Sequence, residues 1–132
     1  MIVHLHTIVD AVVARKSEEI DAEDLRRFLL ELVELLDMQR LFEPIAIKGK
    51  YGFTGIVGIV TSHIAFHFFE QDQSLHLDVY SCKEYDPELV VKFVDQYWGV
   101  QSAAIHLIDR DGPVTVRRLC FRNDTLEEVE ND

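Results

Sequence analysis

The stretch from Gly55 to Cys82 leaves this chain few choices. It reads Gly-Ile-Val-Gly-Ile-Val-Thr-Ser-His-Ile-Ala-Phe-His-Phe-Phe-Glu, crosses a short polar segment, and continues Leu-His-Leu-Asp-Val-Tyr-Ser-Cys. Short runs of aliphatic, β-branched and aromatic residues without proline favour strands packed in a sheet. Three strands fit: 53–61, a continuous apolar run suited to the middle of a sheet; 64–69; and 75–80, where His76 and Asp78 alternate with apolar neighbours. The polar junction Thr61-Ser62-His63 separates the first two. His63, His67 and His76 and one of the two cysteines fall in the same stretch.

Such a sheet needs a cover, and two segments can supply it. Asp21 can cap a helix whose apolar residues Leu25, Phe28, Leu29, Leu32, Val33 and Leu36 form one stripe, flanked by Leu30 and Leu35, with acidic Glu23 and Asp24 suiting the start of the dipole. Asp86-Pro87-Glu88 gives a second start, followed by Val90, Phe93, Val94 and Tyr97 on one face and Gly99 as a stop. A strand is expected over 2–13 and another over 41–47, the latter at an edge or bulge because of Pro44. Residues 48–52 read as a turn. Residues 103–108 and 114–121 form a hairpin around Asp109-Arg110-Asp111-Gly112-Pro113. The expected fold is an α+β two-layer sandwich: a largely antiparallel sheet with two amphipathic helices on one face. One domain should span 1–125, with a frayed acidic tail over 126–132. Strands apolar on both sides would leave the second face in need of a partner.

Composition narrows the function. With 13 basic against 24 acidic residues and a net charge of −11, neither nucleic acid nor an anionic membrane is an expected partner. No apolar run approaches the roughly 20 residues that cross a bilayer, and the first residues lack a signal-peptide pattern, so a cytoplasmic location is expected. Cys82 and Cys120 are too few for a zinc cluster or disulfide framework. His4 and His6 share a strand face but have no neighbouring acid or thiol in the sequence to complete a metal site, and read as ordinary strand histidines.

Several pieces in order carry a resemblance: His4-Leu5, Thr54-Gly55 before an apolar strand, Ser62-His63-x-x-x-His67, Asp78-Val-Tyr-Ser-Cys82, and Asp86-Pro87 opening a helix. Together they resemble the small bacterial and archaeal S-adenosylmethionine decarboxylases, pyruvoyl-dependent enzymes of spermidine and polyamine biosynthesis. The resemblance implies autocatalytic cleavage between Thr61 and Ser62, which turns Ser62 into a pyruvoyl cofactor that serves as electron sink when carbon dioxide leaves. It implies that Thr54 and His67 support processing and that Cys82 returns a proton after decarboxylation. Phe53 and Phe69 are the aromatic candidates for binding the substrate.

Spacing adds a constraint. Ser62 and His67 are five apart and face opposite sides of a strand. In a hairpin turning at 61–63, Thr54 lies opposite His67, with both some 20 Å from the turn. Thr54 and His67 are therefore expected to serve Ser62 of a second subunit, in a homodimer with composite active sites. The chain departs from the family pattern at Thr61 (usually Glu), at Phe68-Phe69, at Lys83 (usually Gly), at Lys48 where an aromatic would stand, and in lacking an acidic residue just after His4-Leu5. These departures motivate two alternatives: a pyruvoyl decarboxylase of arginine or ornithine, and a non-processing relative serving as a dimeric binding or regulatory module.

Overall fold

The computed structural model describes residues 2–130. Along the chain come β1 (Leu5–Val13), a 3-10 turn at Ser17–Glu19, α1 (Ala22–Leu35), β2 (Ile45–Lys48), β3 (Gly52–Ile59), β4 (Ser62–Phe69), β5 (Ser74–Ser81), α2 (Pro87–Trp98), β6 (Val100–Asp109), β7 (Thr115–Arg122) and β8 (Thr125–Glu128). All eight strands form one sheet in the order β2-β3-β4-β5-β1-β6-β7-β8. Every neighbouring pair is antiparallel. The expected two-layer α+β sandwich is what the chain forms, with both helices packed on one face of the sheet.

Local chemistry sets both helix starts. The Asp21 carboxylate accepts from the Asp24 N–H, and the Asp86 carboxylate accepts from the Glu88 N–H, each satisfying a donor that the first turn leaves unpaired. Pro87 sits at the first helical positions, where its missing N–H costs nothing. α1 then buries Leu25, Phe28, Leu29, Leu32 and Val33. Those side chains meet alternate residues of the strands, including Val57, Ile64, Phe66, Leu77 and Val9. Phe28, Phe66, Phe68 and Trp98 form the centre, with Phe68 and Trp98 ring centroids 5.0 Å apart. Each such side chain contributes about 1.5–3 kcal/mol by leaving water.

Several details differ from expectation. β1 starts at Leu5 rather than Ile2. The strand expected over 41–47 begins only after Pro44, whose ring cannot donate to a ladder, and it is an edge strand. Trp98, one residue past the anticipated stripe of α2, is fully buried, whereas Leu35 is largely exposed. The acidic tail does not fray from its start: Leu126 pairs with Phe121 and packs on the core while its charged neighbours face water. Asn131 and Asp132 lie outside the described residues.

The uncovered face mixes polar and apolar side chains. Alternation sends all six histidines to it, together with Asp10, Asp78, Tyr80 and Arg118. Exposed apolar side chains on this side are Ile45, Ile47, Ile56 and Phe69 on β2 to β4, and Val12 on β1 and Val116 on β7.

Candidate active site

Ser62 opens β4 directly after the tight turn Val60–Thr61, with Ile59 and Ser62 paired across the hairpin. Thr61 occupies the left-handed region at φ 53°. A β-branched residue is an outlier there, because its Cβ crowds the following carbonyl, at a cost of about 1–2 kcal/mol. The bond that joins this strained residue to the next is Thr61–Ser62.

Cys82, at the exit of β5, stands against that bond. Its N–H donates to Ser62 Oγ (3.1 Å), and Ser62 Oγ–H donates to its Sγ (3.6 Å). Thr61 Oγ1 lies 2.7 Å from the same sulfur and 2.8 Å from the Val60 carbonyl. These two hydroxyls, Thr61 first, hold the Cys82 thiol below its ordinary value by stabilising the thiolate. The main chain around Cys82 is pinned as well. Its carbonyl accepts from the Val3 N–H (3.0 Å), while Ser81 Oγ donates to the Lys83 carbonyl (2.6 Å) and accepts from the Lys83 N–H (2.9 Å). Lys83 then reaches across to the end of α1, donating from Nζ to the Asp37 carbonyl (2.6 Å) and carboxylate (3.2 Å). A lysine after the cysteine thus ties the thiol's loop to a helix C-terminus, where a cation is favoured.

Beside the turn, the open face carries a row of rings from neighbouring strands. His63 pairs with Tyr80, and Tyr80 with His6. The His63 and Tyr80 rings stack at 5.5 Å with 13° between planes, His6 meets both edge-on, and the Arg110 guanidinium lies 5.3 Å from the Tyr80 centroid. His4 Nδ1 shares a 2.6 Å hydrogen bond with the Tyr80 hydroxyl. Burial pulls the His6 pKa down against the opposing pull of Asp78, and its Nε2 has no protein partner among the described residues. Phe42 completes the row: its ring covers Gly58, where an added Cβ would come within 2.4 Å of it.

Thr54 and His67 sit elsewhere. They are cross-strand partners on the open face, and Thr54 Oγ1 and His67 Nδ1 share a 2.9 Å hydrogen bond. The same row continues through His76 and Asp10, joined by a 2.7 Å hydrogen bond. His67 is five residues along β4 from Ser62, roughly 17 Å at strand rise, and its side chain faces the opposite side. Within one chain, Ser62, Thr61 and Cys82 therefore come together and Thr54 and His67 do not join them.

The two aromatic candidates separate. Phe69 is exposed on the open face beside His67 and His76. Phe53 is only 3% exposed, because its parity along β3 points it under α1, so it presents no ring to a ligand on the open face. Phe42, His63, Tyr80 and the pair His4 and His6, on the open face beside the turn, are functional-site candidates that the sequence reading does not name. Two-residue alternation marks their face, but only the register of β1, β4 and β5 brings them into one row.

A family model described as S-adenosylmethionine decarboxylase matches residues 5–111. The S-adenosylmethionine decarboxylase proenzymes of Pyrococcus abyssi and Pyrococcus horikoshii are each 29% identical over 106 residues, covering 80% of this chain and 76% of theirs. The proenzyme of Anoxybacillus flavithermus is 29% identical over 68 residues, 51% of this chain and 55% of that one. The crystal structure of the adenosylmethionine decarboxylase from Aquifex aeolicus superposes with a TM-score of 0.62 at 18% identity, covering 99% of this chain and 98% of that chain, a likeness of fold.

Proposed function

This chain belongs to the S-adenosylmethionine decarboxylase family, and from that premise we propose that it is a self-processing, pyruvoyl-dependent decarboxylase acting on S-adenosylmethionine in spermidine and polyamine synthesis. The observation that carries the reading is the cluster of Thr61, Ser62 and Cys82: a residue held in a strained left-handed conformation, a serine hydroxyl just after it, and a thiol hydrogen-bonded to that hydroxyl. The residues fit the group that the family implies. Ser62 supplies its three carbons at the start of a strand, so cutting the turn before it leaves the new terminus held by β3 and β5 on either side. When formed, the pyruvoyl group supplies the electron sink for loss of carbon dioxide.

The chain's own residues divide the remaining work. The Cys82 N–H stabilises negative charge on Ser62 Oγ as it attacks the Thr61 carbonyl. Strain at Thr61 is released by the cut. Cys82 gives the proton that replaces the lost carboxylate on the substrate. His67, oriented by Thr54, takes the Cα proton that lets the ester leave, and it does so for Ser62 of a second copy. The 17 Å scale of the separation and the exposed apolar side chains at Ile45, Ile47, Ile56 and Phe69 beside the pair support such a dimer. Phe69 stands with this pair as a substrate contact.

Mass spectrometry of the purified chain tests the proposal. Two fragments split between Thr61 and Ser62, the second beginning with a pyruvoyl group, are expected. One intact chain after prolonged incubation points instead to a non-processing binding module. Release of labelled carbon dioxide from carboxyl-labelled S-adenosylmethionine, set against arginine and ornithine, then identifies the substrate.

A further inference from the structure

The hydroxyl of Thr61 has one proton and two takers, the Val60 carbonyl at 2.8 Å and the Cys82 sulfur at 2.7 Å. When Cys82 is a thiol, its S–H donates to Thr61 Oγ1 and Thr61 donates to Val60. When Cys82 is a thiolate, Thr61 turns its proton to the sulfur, where Ser62 Oγ–H already points. Both states are hydrogen-bonded throughout, so the cluster tolerates either without a buried orphan. Self-cleavage then alters both partners of the sulfur. Ser62 loses its oxygen, and Thr61, two residues past the end of β3, becomes a chain terminus with a carboxylate.

Resting on the decarboxylase reading, we infer that cleavage reverses the role of Cys82: before the cut its sulfur is the base that takes the Ser62 hydroxyl proton, and after it the same sulfur is a protonated acid. In the first stage the Oγ–H proton moves to sulfur as Oγ bonds to the Thr61 carbonyl carbon. The carbon–nitrogen bond breaks, and sulfur passes the proton to the departing Ser62 nitrogen, leaving an ester and a free amine. Elimination then passes the Ser62 Cα proton to His67 of a second copy as the Cβ–Oγ bond breaks and frees the Thr61 carboxylate. The enamine left behind shifts to an imine, and water adds to its carbon and releases the nitrogen as ammonia. With the Ser62 donor gone and an anion introduced nearby, the thiolate is disfavoured and Cys82 takes a proton from water. It delivers that proton to the substrate carbon and is reprotonated by water for the next turnover.

Thr61, where the family usually has Glu, is on this account a positioning residue for both stages. The other titratable or charged groups on the elements that meet Cys82 are His4, next to Val3, whose N–H donates to the Cys82 carbonyl; His63 on β4, paired with Tyr80; Tyr80 on β5; and Lys83, paired with Asp37. None of them is altered by the cut.

The test follows alkylation of Cys82 by iodoacetamide against pH in the full chain, with fragment mass spectrometry separating it from Cys120. Processed protein should show its alkylation midpoint about one unit higher than protein caught before processing. Thr61→Val should raise the midpoint of the uncut chain and slow its cleavage. Cys82→Ala should slow cleavage roughly a hundredfold, with Cys82→Ser as a closer isostere should the alanine variant misfold. Cleavage of folded Cys82→Ala within twofold of the parent, or a midpoint that stays put or falls on processing, overturns the inference while leaving the decarboxylase intact. A parent chain that never cleaves overturns both.

Discussion

The two ends of the β3–β4 hairpin make an instructive pair. At the turn, three residues of one chain crowd a single peptide bond: Thr61 is strained, and Ser62 and Cys82 share hydrogen bonds, so that under the proposed function the cluster supplies both nucleophile and base. Toward the open end, Thr54 and His67 sit unstrained in regular register, hydrogen-bonded and exposed, with no nucleophile of their own chain in reach. On that proposal the turn end needs no residue of a second copy for the first chemical step. On the proposed function, the open end supplies a base and an orienting hydroxyl whose target belongs to a second copy.

The largest test of this contrast removes the nucleophile. Ser62→Ala should give no cleavage at all by mass spectrometry, and any cut at 61–62 in that variant would detach the turn end from processing. Next, His67→Ala should slow processing roughly a hundredfold and accumulate an ester that hydroxylamine splits. Co-expressed with Ser62→Ala, it should recover cleavage, because the uncut partner lends its His67. If mixing restores nothing, the open end serves its own chain and the contrast collapses.

Smaller effects are expected on stability. Gly55 lies beside Thr54 on the covered side of β3, and a Cβ there would come 2.3 Å from the Phe66 ring. Gly55→Ala should therefore cost about 1–3 kcal/mol in urea unfolding, and an unchanged midpoint would mean that the hairpin's middle is loosely packed. Thr61→Gly should do the opposite at the turn, stabilising the uncut chain by about 0.5–1 kcal/mol once the entropy of glycine is counted; a loss of stability would refute strain at the cut. The least effect concerns His6, whose pKa burial lowers from 6.5. Below 6.5 the unfolded chain binds the proton more readily than the folded one, so stability falls as pH drops through that value and is retained above it. His6→Phe should flatten that part of the melting-temperature profile relative to the parent.

Much of this was legible residue by residue. The stripe of α1, the caps Asp21 and Asp86, and the three apolar strands are local patterns, and they forced a sheet covered on one face. Pairing of Thr54 with His67 followed from counting back along a hairpin. Other features were hidden for physical reasons. Phe53 follows the alternation that places its neighbour Thr54 on the open face, so it lies on the covered side, and Trp98 falls outside the stripe because a helix face is wider than its ideal repeat. Lys83 departs from the family pattern beside Cys82, and its partner, the Asp37 carbonyl at the end of α1, lies 46 residues away in the chain.

The sequence by itself determined the alternating strands, the capped helices and the order of serine, histidine and cysteine, since each depends on neighbours within a few residues. Only the tertiary structure decided that β1 lies between β5 and β6, and with that which rings form one row on the open face beside the turn. It also decided that Thr61 is left-handed with its hydroxyl on the Cys82 sulfur. Such contacts join residues tens of positions apart, and their geometry is set by the register and twist of the whole sheet, which no local pattern encodes.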